Sequence, residues 1–278
     1  MSLPTTNLTL HLDASQNASP TTMYSDDAGT TPAVGGNSVR VHTDQGDGSI
    51  STHFARVSGS ETGPTWVASG NLMKNPELQF GAGAVHMQLA SFQTDNSTAR
   101  PTTDFVSTTA GTIACVLYPT TITDTHTLPS QSDSNDFVFG NAGGNANICL
   151  YDNSGTKTLR FVVVDSAHEV VDFTIALNRT WIAIMTFDGA TLTGILIDDT
   201  GAESTSTTSV GTATGLSSQL AYGHSANPGT PFFTGRWGEG VTYNAALTGT
   251  NLSDLKQFYK DKWLSLVTQK RFLLPSAI

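Results

Sequence analysis

The chain has 278 residues, of which 38% are hydrophobic and only 13% charged, and its formal net charge is −10. This composition lies outside the disordered range, and the negative charge argues against nucleic-acid binding, which depends on clustered lysine and arginine. No apolar stretch approaches the length of a membrane span. The N-terminal residues have neither a basic nor a long apolar segment, so a cleaved signal peptide is not expected.

The first predicted elements are short strands separated by polar loops. Leu8–Asp13 alternates apolar and polar residues, which is typical of a half-buried strand. A loop rich in serine, threonine and glycine follows, and then a short strand over 39–42. That strand runs into a turn over 44–48, where glycines accept the positive φ that such turns need. Further strands are predicted over 64–67, 76–80 and 85–89.

The middle of the chain contains the most apolar predicted strands. The run over 112–118 is nearly continuous, as expected for a strand buried on both faces. Asp188 and Gly189 separate the apolar runs 181–187 and 193–197, which is a strong signal for a hairpin turn. Other strands are predicted over 136–140, 147–151, 159–164, 170–175 and 220–223.

A single amphipathic helix is predicted near the C-terminus, over 250–264, where Thr248 or Thr250 can cap it. Its apolar side chains recur at three- and four-residue spacing on one face, namely Leu252, Leu255, Tyr259 and Trp263. Short, turn-linked strands without intervening helices predict an all-β fold. We therefore expect one domain over 1–264, a two-sheet antiparallel jelly-roll sandwich with the helix packed on its edge, and a tail over 265–278.

The order of these motifs resembles the laminin-G-like, concanavalin A-like jelly-roll domains. The resemblance lies in the opening strand over 8–15, the turn over 43–48, the segment over 63–80, and the closing strand and helix over 233–263. The opening segment, with residues 23–32, also resembles structural proteins of tailed bacteriophages. This implies a virion protein assembled in the host cytoplasm, as a head decoration, fibre or tail component, with other virion proteins and further copies of itself as partners.

The same resemblance implies a face that binds cell-surface glycans, because such domains often do so. Aromatic rings that stack on sugars are the candidate contacts, although most such rings in a sandwich are structural. The candidates are Trp66, Trp237, Tyr222 and Tyr24. Two other functions stay open at this point, a free-standing carbohydrate-binding module and a glycoside hydrolase with atypical acids.

Catalytic and metal-binding patterns are weak. Glycan-cleaving relatives carry paired carboxylates on one strand face, whereas Glu169 and Asp172 are three residues apart and are predicted to point to opposite faces. We therefore expect no enzymatic activity. A structural calcium, which the resemblance allows, has two candidate carboxylates in Asp44 and Asp47, and Asp133 and Asp136 form a similar but weaker pair. The histidines show no zinc-ligand spacing, and no other cofactor motif occurs.

Two further features have simple interpretations. Cys115 and Cys149 lie in apolar runs, which predicts buried thiols. The C-terminal tail combines two cations with neighbouring large apolar residues, and apolar groups exposed together usually mark a contact site. We expect the tail either to fold back on the sandwich or to dock onto another subunit or virion protein. Its contact residues would be Lys270, Arg271, Phe272, Leu273 and Leu274.

Overall fold

A computed structural model describes strands in both halves of the chain and the C-terminal helix. In the second half it also describes most of the connections between the strands. The described residues are 2–15, 23–24, 32–35, 39, 41–43, 53–57, 63–68, 73, 75–81, 87–91, 102–122, 136–141, 143–217, 220–223 and 233–264. The predicted turn over 44–48, with Asp44 and Asp47, and the whole tail over 265–278 lie outside them.

Seventeen strands and one helix are described, and a short 3₁₀ turn (Thr102–Asp104) precedes the eighth strand. The first nine strands are β1 (Leu8–Asp13), β2 (Met23–Tyr24), β3 (Val41–Thr43), β4 (His53–Val57), β5 (Thr65–Val67), β6 (Glu77–Phe80), β7 (Met87–Ser91), β8 (Gly111–Thr121) and β9 (Asp136–Asn141). The others are β10 (Ala146–Asn153), β11 (Thr156–Val164), β12 (His168–Thr174), β13 (Trp181–Phe187), β14 (Thr191–Ile197), β15 (Glu203–Ser209), β16 (Leu220–Tyr222) and β17 (Thr234–Tyr243). Helix α1 (Gly249–Tyr259) continues into a π-helical turn (Lys260–Leu264).

The strands form two antiparallel sheets, so the predicted sandwich is confirmed. The first sheet has the order β15-β14-β13-β8-β17-β6-β5, with β1 also paired to β17. The second sheet has the order β12-β11-β10-β9-β16-β7-β4-β3-β2. Strand β13 lies in the middle of the first sheet and all seven of its residues are buried, as its continuous apolar sequence predicted. Its neighbour β8 is buried over the predicted run as far as Leu117.

The main core lies between the two sheets. Strand β8 contributes Ile113 and Leu117 to it, and the facing sheet contributes Phe139, Ile148 and Phe161. These residues alternate along their strands with residues on the opposite face, as the pleat of a β-strand requires. Both cysteines are buried thiols, as predicted.

The position of the helix differs from the prediction. Helix α1 and its π-helical turn cover the outer face of the first sheet rather than its edge, since Leu255 and Tyr259 of the helix and Trp263 of the turn pack with residues of four central strands. The sheet residues in this second core are Ala114, Val116, Ile182, Ile184, Ile195, Ile197, Val241 and Tyr243. The physical reason is that β8 and β13 are apolar on both faces, so the outer face also needs a cover. Among the described residues, no helix is long and apolar enough to cross a membrane.

Candidate functional site

A row of polar and aromatic side chains crosses the outer face of the first sheet. The strand register places Thr65, Gln79, Arg236 and Tyr118 side by side on β5, β6, β17 and β8. We call these four residues the outer row. Gln79 is exposed and the other three are half-buried. Side chains directly opposite on paired strands lie roughly 5 Å apart, so one small ligand can reach several of them at once.

Arg236 is held in place within the outer row. Its Nη1 donates a hydrogen bond to Gln79 Oε1 at 2.7 Å, and its Nε lies 3.6 Å from Glu77 Oε1. The Glu77 side chain is fully buried, and its Oε2 accepts the backbone N–H of Met73 at 3.1 Å. The buried carboxylate restrains the guanidinium and leaves part of it accessible, since the Arg236 side chain keeps 16% of its surface exposed. Arginine has several N–H donors in a planar fork, so donors remain for a ligand.

Tyr118 supplies the aromatic part of the outer row. The side chain packs against the second core, on the sheet face that carries the helix, and it is half-buried. An aromatic face beside a few fixed polar groups is the usual composition of a small-molecule site. A sugar has an apolar C–H face and a rim of hydroxyl groups, so the outer row offers a chemical partner for each.

A second polar assembly lies on the same sheet face, beneath the end of the helix. We call His11, Asp13, Glu239 and Lys262 the buried cluster. The Lys262 ammonium lies 2.5 Å from Asp13 Oδ2 and 2.9 Å from Glu239 Oε2. His11 Nε2 lies 2.5 Å from Glu239 Oε1, and the Trp263 indole N–H donates to Glu239 Oε2 at 2.7 Å. Asp13 and Glu239 are only 2% and 0% exposed.

The buried cluster also contains a possible set of metal ligands. One ligand atom each of His11, Asp13 and Glu239 lies within 4.8 Å of the others. Sequence spacing did not identify this set, because Glu239 reaches the other two residues only through strand pairing. The Lys262 ammonium already bridges the two carboxylates, so the protein supplies the compensating cation itself. The arrangement therefore fastens the helix end to β1 and β17.

Two of the four predicted stacking residues are in the wrong place for a ligand. Trp237 and Tyr222 are fully buried between the sheets and stack on each other, with ring centroids 4.6 Å apart and planes 18° apart. Both side chains point inward from central strands, so no sugar can reach them. Trp66 is half-buried at the outer strand β5, and its Nε1 donates to the Ala14 carbonyl at 3.1 Å. Only the backbone of Tyr24 is described, paired with Val41.

The predicted separation of Glu169 and Asp172 agrees with the strand register. Glu169 is opposite Val163, a residue of the main core. Asp172 is opposite Arg160, on the outer face of the second sheet. Asp172 accepts hydrogen bonds from Arg160 Nε at 2.8 Å and from the Tyr151 hydroxyl at 2.9 Å. The tail contacts, Lys270, Arg271, Phe272, Leu273 and Leu274, lie outside the described residues and stay a prediction.

Sequence reasoning missed all four members of the outer row, Thr65 on β5 as well as the three on β6, β17 and β8, which are Gln79, Arg236 and Tyr118. A weak signal was present, since Tyr118 is the polar-tipped end of an apolar run and Gln79 occupies the polar position of an alternating strand. Nothing in the sequence indicates that β6, β17 and β8 are neighbours, and only this pairing joins the three side chains into one row.

Comparisons with known proteins identify the fold. No protein-family model and no curated protein matches the chain. Domain 4 of an extracellular arabinanase from Geobacillus stearothermophilus, in complex with arabinotriose, has a similar structure, with a TM-score of 0.52 and 15% identity over 91% of this chain and 100% of that domain. An arabinofuranosidase complexed with arabinofuranosyl-α-1,2-xylobiose has a TM-score of 0.57 at 12% identity over 95% of this chain.

A sialidase from Trypanosoma rangeli is also similar, with a TM-score of 0.53 and 15% identity over 93% of this chain. The chain spans 61% of the arabinofuranosidase and 33% of the sialidase. It therefore matches the whole of the arabinanase domain but only part of each of the two larger proteins. At these identities the similarity concerns the β-sandwich fold.

Proposed function

We propose that this chain is a non-enzymatic, glycan-binding β-sandwich and that the outer row is its sugar-contacting surface. The observation that carries the proposal is the half-buried Tyr118 side chain beside Arg236 and Gln79, on one face of paired strands. The full-length similarity to an arabinanase domain in complex with arabinotriose supports the same class of ligand.

The proposed contacts follow from the chemistry of the outer row. The Tyr118 ring packs against the C–H face of a sugar, while Arg236 donates hydrogen bonds to hydroxyl oxygens. The Gln79 amide both donates and accepts, so it reads the orientation of a neighbouring hydroxyl. Because Glu77 and Gln79 already fix the guanidinium, little side-chain entropy is lost when a ligand binds.

The absence of catalysis is part of the proposal. Glycoside hydrolysis needs two carboxyl groups that flank the scissile bond, one as acid and one as base or nucleophile. Asp13 and Glu239 are the acids that come together in the buried cluster, and both are sealed from solvent and bonded to Lys262. The alternative of a hydrolase with atypical acids therefore requires other residues than these.

We further propose that the sandwich works in the particle of a tailed phage, bound to other virion proteins and to cell-surface glycans. The resemblance of the opening segment, with residues 23–32, to structural proteins of tailed bacteriophages supports this setting. A free-standing carbohydrate-binding module is the alternative. Mass spectrometry of purified particles distinguishes the two, because only a virion component is recovered with capsid and tail proteins.

Glycan binding is tested with a glycan array, followed by calorimetry with arabinotriose and the strongest array hits. We expect Tyr118→Ala to weaken binding at least about tenfold, which corresponds to roughly 1.4 kcal/mol, and Arg236→Ala to weaken it similarly. Tyr118→Phe keeps the ring and should bind normally. Lys157→Ala, a cation of the β10–β11 hairpin in the other sheet, is the charge control. Unchanged affinity in Tyr118→Ala, or no array binding at all, rejects the proposal.

The absence of catalysis is tested by incubating the protein with each bound glycan and measuring released reducing sugar. We expect no release above that of a heat-denatured sample. Release that disappears in Asp172→Asn or Glu169→Gln would identify the chain as a hydrolase and reject this part of the proposal.

A further inference from the structure

Strand β15 forms one edge of the first sheet and contributes nothing to either core. Its sequence consists of serine and threonine after Glu203, and every residue but Thr208 is exposed. All seven of its residues pair with β14 in a regular register without a bulge. A long strand that buries no side chain is unusual, because strands are normally stabilised by packing of one face.

Strands β5, β12 and β2, which end the two strand orders at the other positions, have features that hinder pairing with a further strand, and β15 lacks them. Within the described part of the chain β2 and β5 have only two and three residues, and β12 carries Glu169 near its start. Short edges, charges, prolines and bulges are the usual means of blocking edge-to-edge association. In β15 the only charge is Glu203 at its first position, where Lys256 neutralises it with an Nζ–Oε1 distance of 2.8 Å.

The direction of the backbone groups of β15 follows from the bonds at its two ends. Val210 donates its N–H to the Ala190 carbonyl at 3.0 Å, and Asp198 donates to the Ala202 carbonyl at 3.0 Å. Backbone groups alternate in direction along an antiparallel strand. The even-numbered residues from 202 to 210 therefore face β14, and the odd-numbered residues direct their N–H and C=O groups away from the sheet. These outward residues are Glu203, Thr205, Thr207 and Ser209.

We propose that β15 pairs antiparallel with β15 of a second copy of this chain, about a two-fold axis at Ser206. In this register Thr205 lies opposite Thr207, and Glu203 lies opposite Ser209. The four outward residues of each strand then form about eight backbone hydrogen bonds. No like charges face each other, and the threonine pairs are favourable cross-strand neighbours.

A second copy is the partner because the outward N–H and C=O groups of one β15 strand can pair with the same groups of another β15 strand. The same patch on both subunits meets across a two-fold axis in such an interface, and β15 pairs all its outward groups with itself without an unpaired charge. The axis runs perpendicular to the joined sheet, so the outer faces of both copies point to the same side. The proposal does not depend on glycan binding, but two outer rows on one side would let the dimer bind a glycan surface bivalently.

The first test is sedimentation equilibrium from micromolar to submillimolar concentration. We expect a monomer–dimer equilibrium in the native protein and a monomer in Thr207→Pro. This variant loses an outward N–H and no bond to β14, and proline is tolerated at such edge positions. Circular dichroism and the thermal midpoint, taken at low concentration, should stay native. Thr207→Val keeps the backbone donor and should still dimerise. A native protein that stays monomeric throughout overturns the proposal.

A charge exchange tests the register. Thr205→Lys combined with Thr207→Lys places like charges opposite each other and should abolish the dimer. Thr205→Lys combined with Thr207→Glu places opposite charges in the same positions and should restore it. If both double variants dimerise equally, or neither does, the strands do not pair in this register and the proposal is wrong.

Discussion

The outer row and the buried cluster lie on the same face of the same sheet, and both use β17. Arg236 belongs to the first and Glu239 to the second. The Arg236 side chain is 16% exposed and has donors left for a ligand, whereas Glu239 is fully buried beneath Trp263. The end of the helix covers one assembly and leaves the other open. The burial of the carboxylates therefore separates the buried cluster, which holds the helix on the sheet, from the outer row, which can contact a ligand. The two assemblies consist of similar residue types.

The buried cluster also differs in its energetic consequences from ion pairs at the protein surface. Exposed ion pairs contribute little to stability because water already solvates both charges. In the buried cluster the carboxylates of Asp13 and Glu239 have lost that solvation, so they depend on Lys262 and their other hydrogen bonds. Losing the cation should therefore damage the fold in the buried cluster, whereas the same kind of loss at the surface should not.

The largest expected effect comes from Lys262→Met, which leaves two buried carboxylates without their shared cation. We expect the free energy of unfolding to fall by about 3 to 5 kcal/mol at neutral pH, measured by urea denaturation. Lys256→Met is the matched control, because Lys256 pairs with the partly exposed Glu203, and it should cost about 1 kcal/mol or less. An equal decrease in the free energy of unfolding in the two variants would mean that the buried cluster does not stabilise the contact between the helix end and the sheet.

The second prediction concerns His42, a fully buried residue of β3. Burial lowers the pKa of His42 to about 4, from an ordinary value of 6.5, while the carboxylate of Asp13 opposes this shift. In the unfolded chain the ring takes up a proton near pH 6.5, so the unfolded state binds more protons between pH 4 and 6.5. Stability should therefore fall by up to about 3 kcal/mol as the pH drops through this window.

The contribution of His42 is isolated by comparing two pH profiles. Urea denaturation of the native protein and of His42→Gln between pH 7.5 and 4 gives two curves, and their difference removes the titration of the acids. The variant loses the 3.0 Å contact between His42 Nδ1 and the Tyr222 hydroxyl, so it should be less stable at neutral pH. Its curve should be flatter towards low pH. Parallel curves would contradict the neutral, buried histidine.

The fold was predictable where apolar patterns are strong. The continuous run of β13 and the Asp188-Gly189 turn identify a central hairpin without any tertiary information. Strand β15 was missed, because a run of serine and threonine has neither apolar residues nor alternation. It is held by backbone bonds to β14, and such bonds leave no mark in the sequence.

For the candidate site, the type of residue was predictable from the sequence, but the particular residues were not. Sequence reasoning expected aromatic rings at a sugar-binding face, but Trp237 and Tyr222 point into the core, and Tyr118 was overlooked. Successive side chains of a strand point to opposite faces of the sheet, so the face of each residue can be read from its position along a regular strand. This alternation is interrupted at a bulge. Arg236 and Glu239 are an odd number of residues apart yet share the outer face, because the register of β17 against β8 shifts between Trp237 and Glu239.

Gly238, at this register shift, provides the last and smallest prediction. A Cβ atom there would lie 2.5 Å from the Trp263 ring and 2.8 Å from Met73 Cε. Gly238→Ala should therefore push Trp263 from Glu239 and cost about 1 to 3 kcal/mol in urea denaturation. Gly81→Ala, at an exposed site with nothing within 4 Å of the new Cβ, should change little. Glycan affinity should stay native in both, since neither variant touches Tyr118. Lost affinity in Gly238→Ala at unchanged stability would show that the two assemblies are not separate.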